Sequence, residues 1–237
     1  MSTLIRQSQL FDAHLVAVPV IECGEPMVSL PDLLVQYPDA IIQYSSSVQP
    51  YFRVSVARAL CMAAQQLYTQ GYTLLLFDGY RSIATQKMKF FQRVDELQQK
   101  YPKMNKQMLY DRANIFIAGI PILAAHTSGA AVDVGLADVH GNKLDMGTTY
   151  RTGSYKSKTA YRGISKSAQR HRMLLCDAME KAGYINYPFE WWHYSLGDVC
   201  AAYCSHALNA IYGPVEYDEK KRTTTYEPQS LWHDYFI

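Results

Sequence analysis

The residues best suited to chemistry lie in two short runs, far apart in this 237-residue chain. In the first run, His126 and Asp133 stand seven residues apart around Gly129. In the second, Glu190 precedes His193 by three residues, with two tryptophans between them. Two imidazoles and a carboxylate suit a catalytic zinc ion, which takes three protein ligands at about 2.0 to 2.2 Å and keeps a fourth position open. The runs therefore predict one zinc ion per chain.

The spacing within each run sets a condition on the backbone. On one continuous strand, side chains an odd number of residues apart point to opposite faces of the sheet. We therefore expect the chain to turn at Ser128-Gly129, so that His126 and Asp133 can reach one ion. For the same reason we place Glu190 at the entrance of a strand rather than within it.

Glu190 and Arg81 are the candidate catalytic residues beside such an ion. Zinc lowers the pKa of a bound water from about 16 toward about 7, and a nearby carboxylate can take its proton as it attacks a carbonyl. Glu190 is placed for this role of general base. Arg81 follows a predicted strand, and a guanidinium held at a strand end can stabilise the oxyanion that forms.

Each of these assignments has a structural alternative. A histidine and an aspartate at this spacing are more often a surface imidazole and a turn aspartate. The run at Glu190 could equally hold two core tryptophans and a solvated carboxylate. Arg81 is as well explained by an ion pair with Asp78. Only the agreement among the runs favours the catalytic interpretation.

Composition limits the classes of function. The chain is 49% hydrophobic and 19% charged, which allows one substantial core, and we expect a single domain over residues 1–237. A net charge of +2 gives no general argument for nucleic acid or a membrane surface as a partner. We find no signal peptide in the first residues and no apolar run of about 20 residues. The five cysteines are odd in number, so we expect a reducing, cytoplasmic location.

The elements that must position the candidate residues are irregularly interleaved. Helical periodicity predicts four helices, over residues 55–70, 82–100, 105–117 and 167–182. Short apolar or aromatic runs predict three strands, at residues 73–77, 131–136 and 191–196. We expect an α+β fold with a central antiparallel sheet flanked by helices.

Three motifs together resemble the zinc D-alanyl-D-alanine dipeptidases, a family that includes the vancomycin-resistance dipeptidases. They are Asp78-Gly79-Tyr80-Arg81, the run from His126 to Asp133, and Glu190-x-x-His193. The similarity extends over about residues 44–215. It implies an α+β fold with a small, confined pocket and hydrolysis of a small dipeptide that contains D-amino acids. The implied roles are zinc ligands for His126, Asp133 and His193, general base and acid for Glu190, and stabiliser of the tetrahedral intermediate for Arg81.

Positions near the substrate depart from this family pattern. Ala124 stands where the family usually has Ser. Arg151 follows Tyr150 where the family usually has an Asp that helps to hold the ammonium group of the dipeptide. An arginine repels an ammonium and attracts a carboxylate or phosphate. Arg151 and the retained Tyr44 are therefore our substrate-binding candidates.

The segment of the chain around Arg151 is also positively charged. Between Met146 and Cys176 the chain has no acidic residue, and its basic residues there are Arg151, Lys156, Lys158, Arg162, Lys166, Arg170 and Arg172. A solvated loop and helix face would explain this pattern. The alternative is a positive rim that attracts a small anionic peptide.

Three functions remain open from the sequence. The first is a zinc dipeptidase, or a related amidase for a different anionic substrate. The second is a zinc-containing module that binds a ligand with weak or no catalysis, and the third is an interaction domain without metal. Glu190 favours the enzyme, because a binding module has no need of a base beside the metal. The oligomeric state is left open.

Overall fold

A five-stranded mixed sheet carries most of the candidate residues. It is seen in the computed structural model, which describes residues 2–114, 117–119, 123–152 and 154–227. In spatial order the strands, numbered along the chain, are β2 (Ile42–Gln43), β4 (Tyr72–Asp78), β5 (Ala131–Asp138), β7 (His193–Ser195) and β6 (Ile185–Asn186). Four of them pair antiparallel, as predicted.

At one edge, a parallel strand extends the predicted antiparallel sheet. Strand β2 runs parallel to β4, with Ile42 opposite Leu74. Parallel neighbours need a long crossover rather than a tight turn, and here the crossover contains β3 (Tyr51–Arg53) and the helix α3 (Val54–Tyr68). The two-residue strand β2 has too few residues for its pairing direction to be predicted from the sequence.

Seven α-helices lie in the described ranges of the chain. They are α1 (Ser2–Val16), α2 (Leu30–Leu34), α3, α4 (Ile83–Lys100), α5 (Lys106–Asn114), α6 (Lys166–Lys181) and α7 (Val199–Cys204). Strands β1 (Met27–Ser29) and β3 form a small antiparallel sheet, and β8 (Val215–Asp218) and β9 (Thr223–Tyr226) form another. Among the described helices, none combines the length and apolar character needed to cross a membrane.

Three of the four predicted helices match α3, α4 and α6 to within one or two residues. The fourth corresponds to α5, which ends at Asn114, and residues 115 and 116 of that prediction lie outside the described residues. The sequence does not predict α1, because Asp12 and His14 interrupt its apolar pattern. Its position depends on contacts with α7 instead.

Helix α3 shows how the core holds the sheet in place. Small and apolar residues recur along one side of it and are buried, among them Ala57, Leu60, Ala64 and Leu67. They join Leu74 and other β4 residues in the main core cluster. Each fully buried leucine contributes roughly 1.5 to 3 kcal/mol to stability. The helix ends before Gly71, whose φ of 83° is readily adopted by glycine.

A β-bulge in β4 sets the register at the end of the sheet. Leu76 pairs with Val134, but the next pair is Asp78 with Asp133, so two residues of β4 face one residue of β5. The bulge brings a carboxylate beside Asp133, where regular pairing would bring Phe77. Asp133 in turn pairs with His193 of β7. Three polar residues therefore stand side by side on adjacent strands.

Candidate active site

His126 is positioned by a tight turn at the start of β5. Residues Ala125–Ser128 form a single turn of 3-10 helix, which ends at Gly129 in the left-handed region with φ 69°. The predicted turn at Ser128-Gly129 is therefore confirmed. His126 Nδ1 lies 2.8 Å from the carbonyl oxygen of Gly79 and donates to it when protonated. That hydrogen bond leaves Nε2, 3.3 Å from Asp133 Oδ1, free to act as a ligand.

Asp133 lies between the two histidines. His193 Nδ1 is 2.9 Å from Asp133 Oδ1, and the hydroxyl of Tyr150 donates to Oδ2 over 2.7 Å. Burial opposes ionisation of this carboxyl group, but His126 and His193 outweigh it and hold its pKa well below the usual value. Asp133 is therefore ionised, as a metal ligand must be.

These three side chains fit a metal ion. The candidate ligand atoms of His126, Asp133 and His193 all lie within 4.8 Å of one another. His126 and Asp133 are 6% and 4% exposed, so little solvent competes for them. A carbonyl partner for His126 and a hydroxyl partner for Asp133 are the kind of outer contacts that orient metal ligands. The described residues thus include a His/Asp cluster of the predicted composition that could hold a metal ion.

Glu190 lies in a turn just before β7. Its N–H donates to the carbonyl of Tyr187 over 3.0 Å, and its own carbonyl accepts from the N–H of His193 over 3.2 Å. This places Glu190 at the entrance of the strand, as predicted. The predicted strand 191–196 is too long, because turn hydrogen bonds occupy its first residues and regular pairing begins at His193. Burial raises the pKa of Glu190 to about 7, although His193 opposes the shift.

The two tryptophans beside Glu190 are core residues. Trp191 and Trp192 are 2% and 3% exposed, and both belong to the main core cluster. The indole N–H of Trp191 donates to the hydroxyl of Thr148 over 2.8 Å. The structural alternative for this run is thus correct for the tryptophans. Their burial also anchors the chain directly after the candidate base.

Arg81 is paired with Asp78 and also faces the metal site. Its guanidinium forms an ion pair with Asp78 and donates to Gln86 Oε1 over 2.6 Å. Its backbone N–H donates to the carbonyl of His126 over 3.1 Å. The side-chain Nε is buried and has no hydrogen-bond partner in the described part of the chain. The arginine therefore keeps a donor unused within the protein.

A cavity of about 470 Å³ opens onto these residues. Such a volume is within the usual range for small-molecule sites, about 300 to 1,000 Å³. Its lining includes all six predicted residues of the metal site and its surroundings: His126, Asp133, His193, Glu190, Arg81 and Arg151. Tyr44 is not in the lining, since it follows the edge strand β2 and packs against the main core.

Arg151 folds back toward the metal site. Its guanidinium is 2.6 Å from Asp78 Oδ2 and lies over the ring of Tyr150, 4.9 Å from the ring centre. Its backbone is left-handed, with φ 60°. About half of the side chain, 52%, stays exposed. Asp78 thus holds both Arg81 and Arg151 at the cavity.

Several contacts around the site are not predicted from the sequence motifs. Tyr150 and Gly79 hold two of the metal ligands, and Asp12 and Lys89 line the cavity. Lys89 has a sequence signal, since Gln86, Lys89 and Arg93 share one face of α4. Asp12 has none, because its place depends on where α1 packs.

Comparisons with known proteins agree with the motifs. A family model described as D-ala-D-ala dipeptidase, of the M15 peptidases, matches residues 49–211. A D-alanyl-D-alanine dipeptidase from Synechocystis is 29% identical, over 87% of this chain and 99% of that protein. One from Enterococcus faecium is 32% identical over 60% of this chain and 71% of its own length. The solved vancomycin-resistance D,D-pentapeptidase VanY, a zinc complex, is 17% identical with a TM-score of 0.46, over 83% of this chain and 96% of that one.

The matched span contains every residue of the metal site and both candidate catalytic residues. It covers more than half of the chain, from just before β3 to just after α7. The chain belongs to the D-alanyl-D-alanine dipeptidase family.

Proposed function

We propose that the protein hydrolyses a small dipeptide of D-amino acids, such as D-alanyl-D-alanine, with one zinc ion per chain. The observation that carries the proposal is the convergence of His126, Asp133 and His193 at one cavity, with Glu190 and Arg81 also in its lining. Membership of the dipeptidase family supports the substrate class. The donor set, two imidazoles and one carboxylate, supports zinc.

The three ligands would hold the ion through His126 Nε2, a carboxylate oxygen of Asp133 and His193 Nδ1. When bound, zinc lowers the pKa of a water molecule and polarises the substrate carbonyl. Gly79 fixes the tautomer of His126 through its carbonyl, and Tyr150 fixes the orientation of Asp133. These contacts hold the ligands ready, so that little reorganisation is needed.

Glu190 is the proposed general base and acid. Burial raises the pKa of its carboxyl group to about 7, so both the proton-accepting and the proton-donating form are populated near neutral pH. Glu190 takes the proton from the attacking water and delivers it to the leaving amine. From its place before β7, Glu190 lines the same cavity as His193.

Arg81 is the proposed stabiliser of the negative charge on the carbonyl oxygen. Asp78 and Gln86 hold its guanidinium in place beside the cavity, so that its position is fixed before a substrate binds. A fixed donor inside a cavity stabilises a developing charge more than a mobile donor in water does. Arg151, on the same carboxylate of Asp78, is the proposed contact for a substrate carboxylate.

The test is hydrolysis by the zinc-loaded protein of a panel of D-amino-acid dipeptides that includes acidic residues. Glu190→Gln should lower kcat by about 100-fold or more, since it removes the proton transfer but keeps the shape. Glu180→Gln, an exposed glutamate on α6, is the matched control and should leave kcat unchanged. Absence of turnover with every dipeptide would overturn the proposal.

Ligand binding without turnover is the second candidate function. Ala124, which lines the cavity, has no hydroxyl to offer a substrate, and Arg151 occupies the rim. Equal dipeptide affinity in the parent protein and in Glu190→Gln, with no hydrolysis by either, would favour this function.

A further inference from the structure

The cavity wall contains two charged side chains that the proposed mechanism does not use. Asp12 and Lys89 both line the cavity and are both partly buried. Within the described residues, neither side chain has a hydrogen bond or an ion pair, and Lys89 feels only the more distant attraction of Asp78 and Asp133. A charge that loses water without gaining a partner costs free energy. Two such charges in one ligand cavity indicate that the ligand supplies their partners.

Asp12 reaches the cavity because α1 packs against α7. The ring of Phe11 makes edge contacts with Tyr187 and Tyr203, with centroids 5.6 and 5.5 Å away. Leu15, one turn further along α1, is 4% exposed in a cluster with Val199 and other α7 residues. Asp12 lies between these two anchors and lines the cavity together with Leu15. Burial raises the pKa of its carboxyl group to about 7.

A second acidic side chain lies on this wall. Asp198 is 2% exposed and lines the same cavity just before α7. Its Oδ1 atom accepts from the hydroxyl of Ser195 and from the N–H of Ala201, over 2.7 and 2.8 Å. Its Oδ2 atom is buried, and no described residue gives it a hydrogen bond. The wall formed by α1 and α7 is therefore acidic.

Lys89 lies on a different wall, made by α4. Gln86, Lys89 and Arg93 follow one another at intervals of three and four residues, so one helix face presents them to the cavity. Burial lowers the pKa of Lys89, and the positive charges of Arg81 and Arg151 lower it further. Arg81, Arg93 and Arg151 line the same cavity as Lys89, so this part of the cavity is rich in basic side chains.

We propose that the cavity binds a dipolar peptide, with its ammonium group at Asp12 and its carboxylate at Lys89 and Arg151. Opposite charges on separate walls would orient the peptide in one direction across the metal site. An uncharged or capped peptide would leave one or both side chains without a partner, so the cavity would discriminate against it. The proposal deepens the proposed function, on which it rests for the peptide class.

Binding of capped and uncapped dipeptides tests the two contacts separately. The protein is the zinc-loaded full chain with Glu190→Gln, which prevents turnover, and calorimetry gives the dissociation constants. The probes are D-alanyl-D-alanine, its N-acetyl derivative and its C-terminal amide. Asp12→Asn should weaken binding of the free dipeptide and of the amide by about 10- to 100-fold, and should leave the N-acetyl form unaffected. Lys89→Gln should weaken binding of the free and N-acetyl forms, but not of the amide.

A peptide with a basic side chain distinguishes two sources of the ammonium group. If Asp12 binds the amino terminus, N-acetyl-D-alanyl-D-lysine is insensitive to Asp12→Asn, whereas sensitivity assigns Asp12 to a basic side chain. Asp12→Glu, which keeps the charge, should retain most of the affinity. Asp39→Asn and Lys103→Gln, at exposed positions, are the matched controls.

The proposal is overturned if each variant weakens capped and uncapped peptides equally, or weakens none, or if the parent binds no dipeptide. Charge-dependent binding without any hydrolysis by the zinc-loaded parent would instead reject the proposed function and keep this inference.

Discussion

Asp133 contributes to the site through both of its oxygen atoms. Oδ1 faces the two histidines, and Oδ2 accepts a hydrogen bond from Tyr150. Burial and the nearby carboxylate raise the pKa of the Tyr150 hydroxyl, so it remains a donor at all physiological pH values. The ring is held by stacking on Phe77, with centroids 4.7 Å apart. One tyrosine thus links the metal ligand to the bulged strand.

Removing the hydroxyl of Tyr150 should therefore loosen the metal site without disrupting the fold. In Tyr150→Phe, Asp133 loses the partner that orients it, and we expect zinc affinity to fall by about 10- to 100-fold. Competition with a chromophoric zinc chelator measures this. Tyr68→Phe, at an exposed position on α3, should leave the affinity unchanged. Equal affinities in Tyr150→Phe and the parent would contradict the role given to this hydroxyl.

At the scale of the elements, the bulge in β4 depends on a close approach between strands. A Cβ atom at Gly135 would lie 2.6 Å from the ring of Phe77. Gly135 of β5 pairs with Leu75, three residues before Asp78, so the ring lies next to the bulge. Only a residue without a side chain leaves room for this ring. The pairing of Asp78 with Asp133 thus depends on a glycine that no motif contains.

Gly135→Ala should push the Phe77 ring out of place and destabilise the protein by about 1 to 3 kcal/mol, as overpacking of a core does. Urea unfolding measures the change. Phe77→Leu in the same chain should restore part of the stability, because a smaller side chain makes room for the methyl group. If the double variant is no more stable than Gly135→Ala, the clash with the Phe77 ring is not the cause of the lost stability.

Local patterns predict those elements whose side chains repeat regularly. Helices α3, α4 and α6 and strands β4 and β5 follow their predicted bounds closely, because their apolar residues recur with the period of the element. Strand β7 is shorter than predicted, because two tryptophans resemble a strand in composition but lie in a turn. The parallel pairing of β2 and the helix α1 depend on tertiary contacts, which periodicity does not contain.

The site residues also divide into those that local sequence patterns predict and those that depend on tertiary contacts. His126, Asp133, Glu190 and His193 are found from sequence because each run keeps its members within a few residues. Asp12 comes to the cavity through the packing of α1. Tyr150 comes to Asp133 through a loop after β5. The charged walls of the cavity therefore become visible only in the folded chain.

On the scale of the whole molecule, Arg53 joins distant segments. It is fully buried and pairs with Glu22, with Nη1 and Oε1 2.9 Å apart. It also donates to the carbonyls of Ser128 and Gly213, over 2.8 and 3.3 Å. One of these lies beside the turn that positions His126. A single guanidinium thus connects the N-terminal segment, the metal site and the chain after α7.

Arg53→Met should cost about 3 to 5 kcal/mol, since it leaves Glu22 and several carbonyls without their buried partner. Arg53→Lys should recover little of this, because an ammonium cannot reproduce the planar set of donors. Thermal and urea unfolding measure both variants. Lys181→Ala, which removes an exposed pair with Asp177, should change stability by less than about 1 kcal/mol. If Arg53→Met also changes the free energy of unfolding by less than about 1 kcal/mol, Arg53 does not have the structural role given to it.

The docking of α1 on α7 places one of the proposed peptide contacts outside the part of the chain that the family model matches. Every metal ligand and both proposed catalytic residues lie within residues 49–211, whereas Asp12 comes from a helix outside that span. Substitutions along α1 can therefore change which peptide is accepted while the reacting groups stay as they are. In laboratory evolution, a library restricted to this one helix would explore new substrates with the catalytic strands untouched.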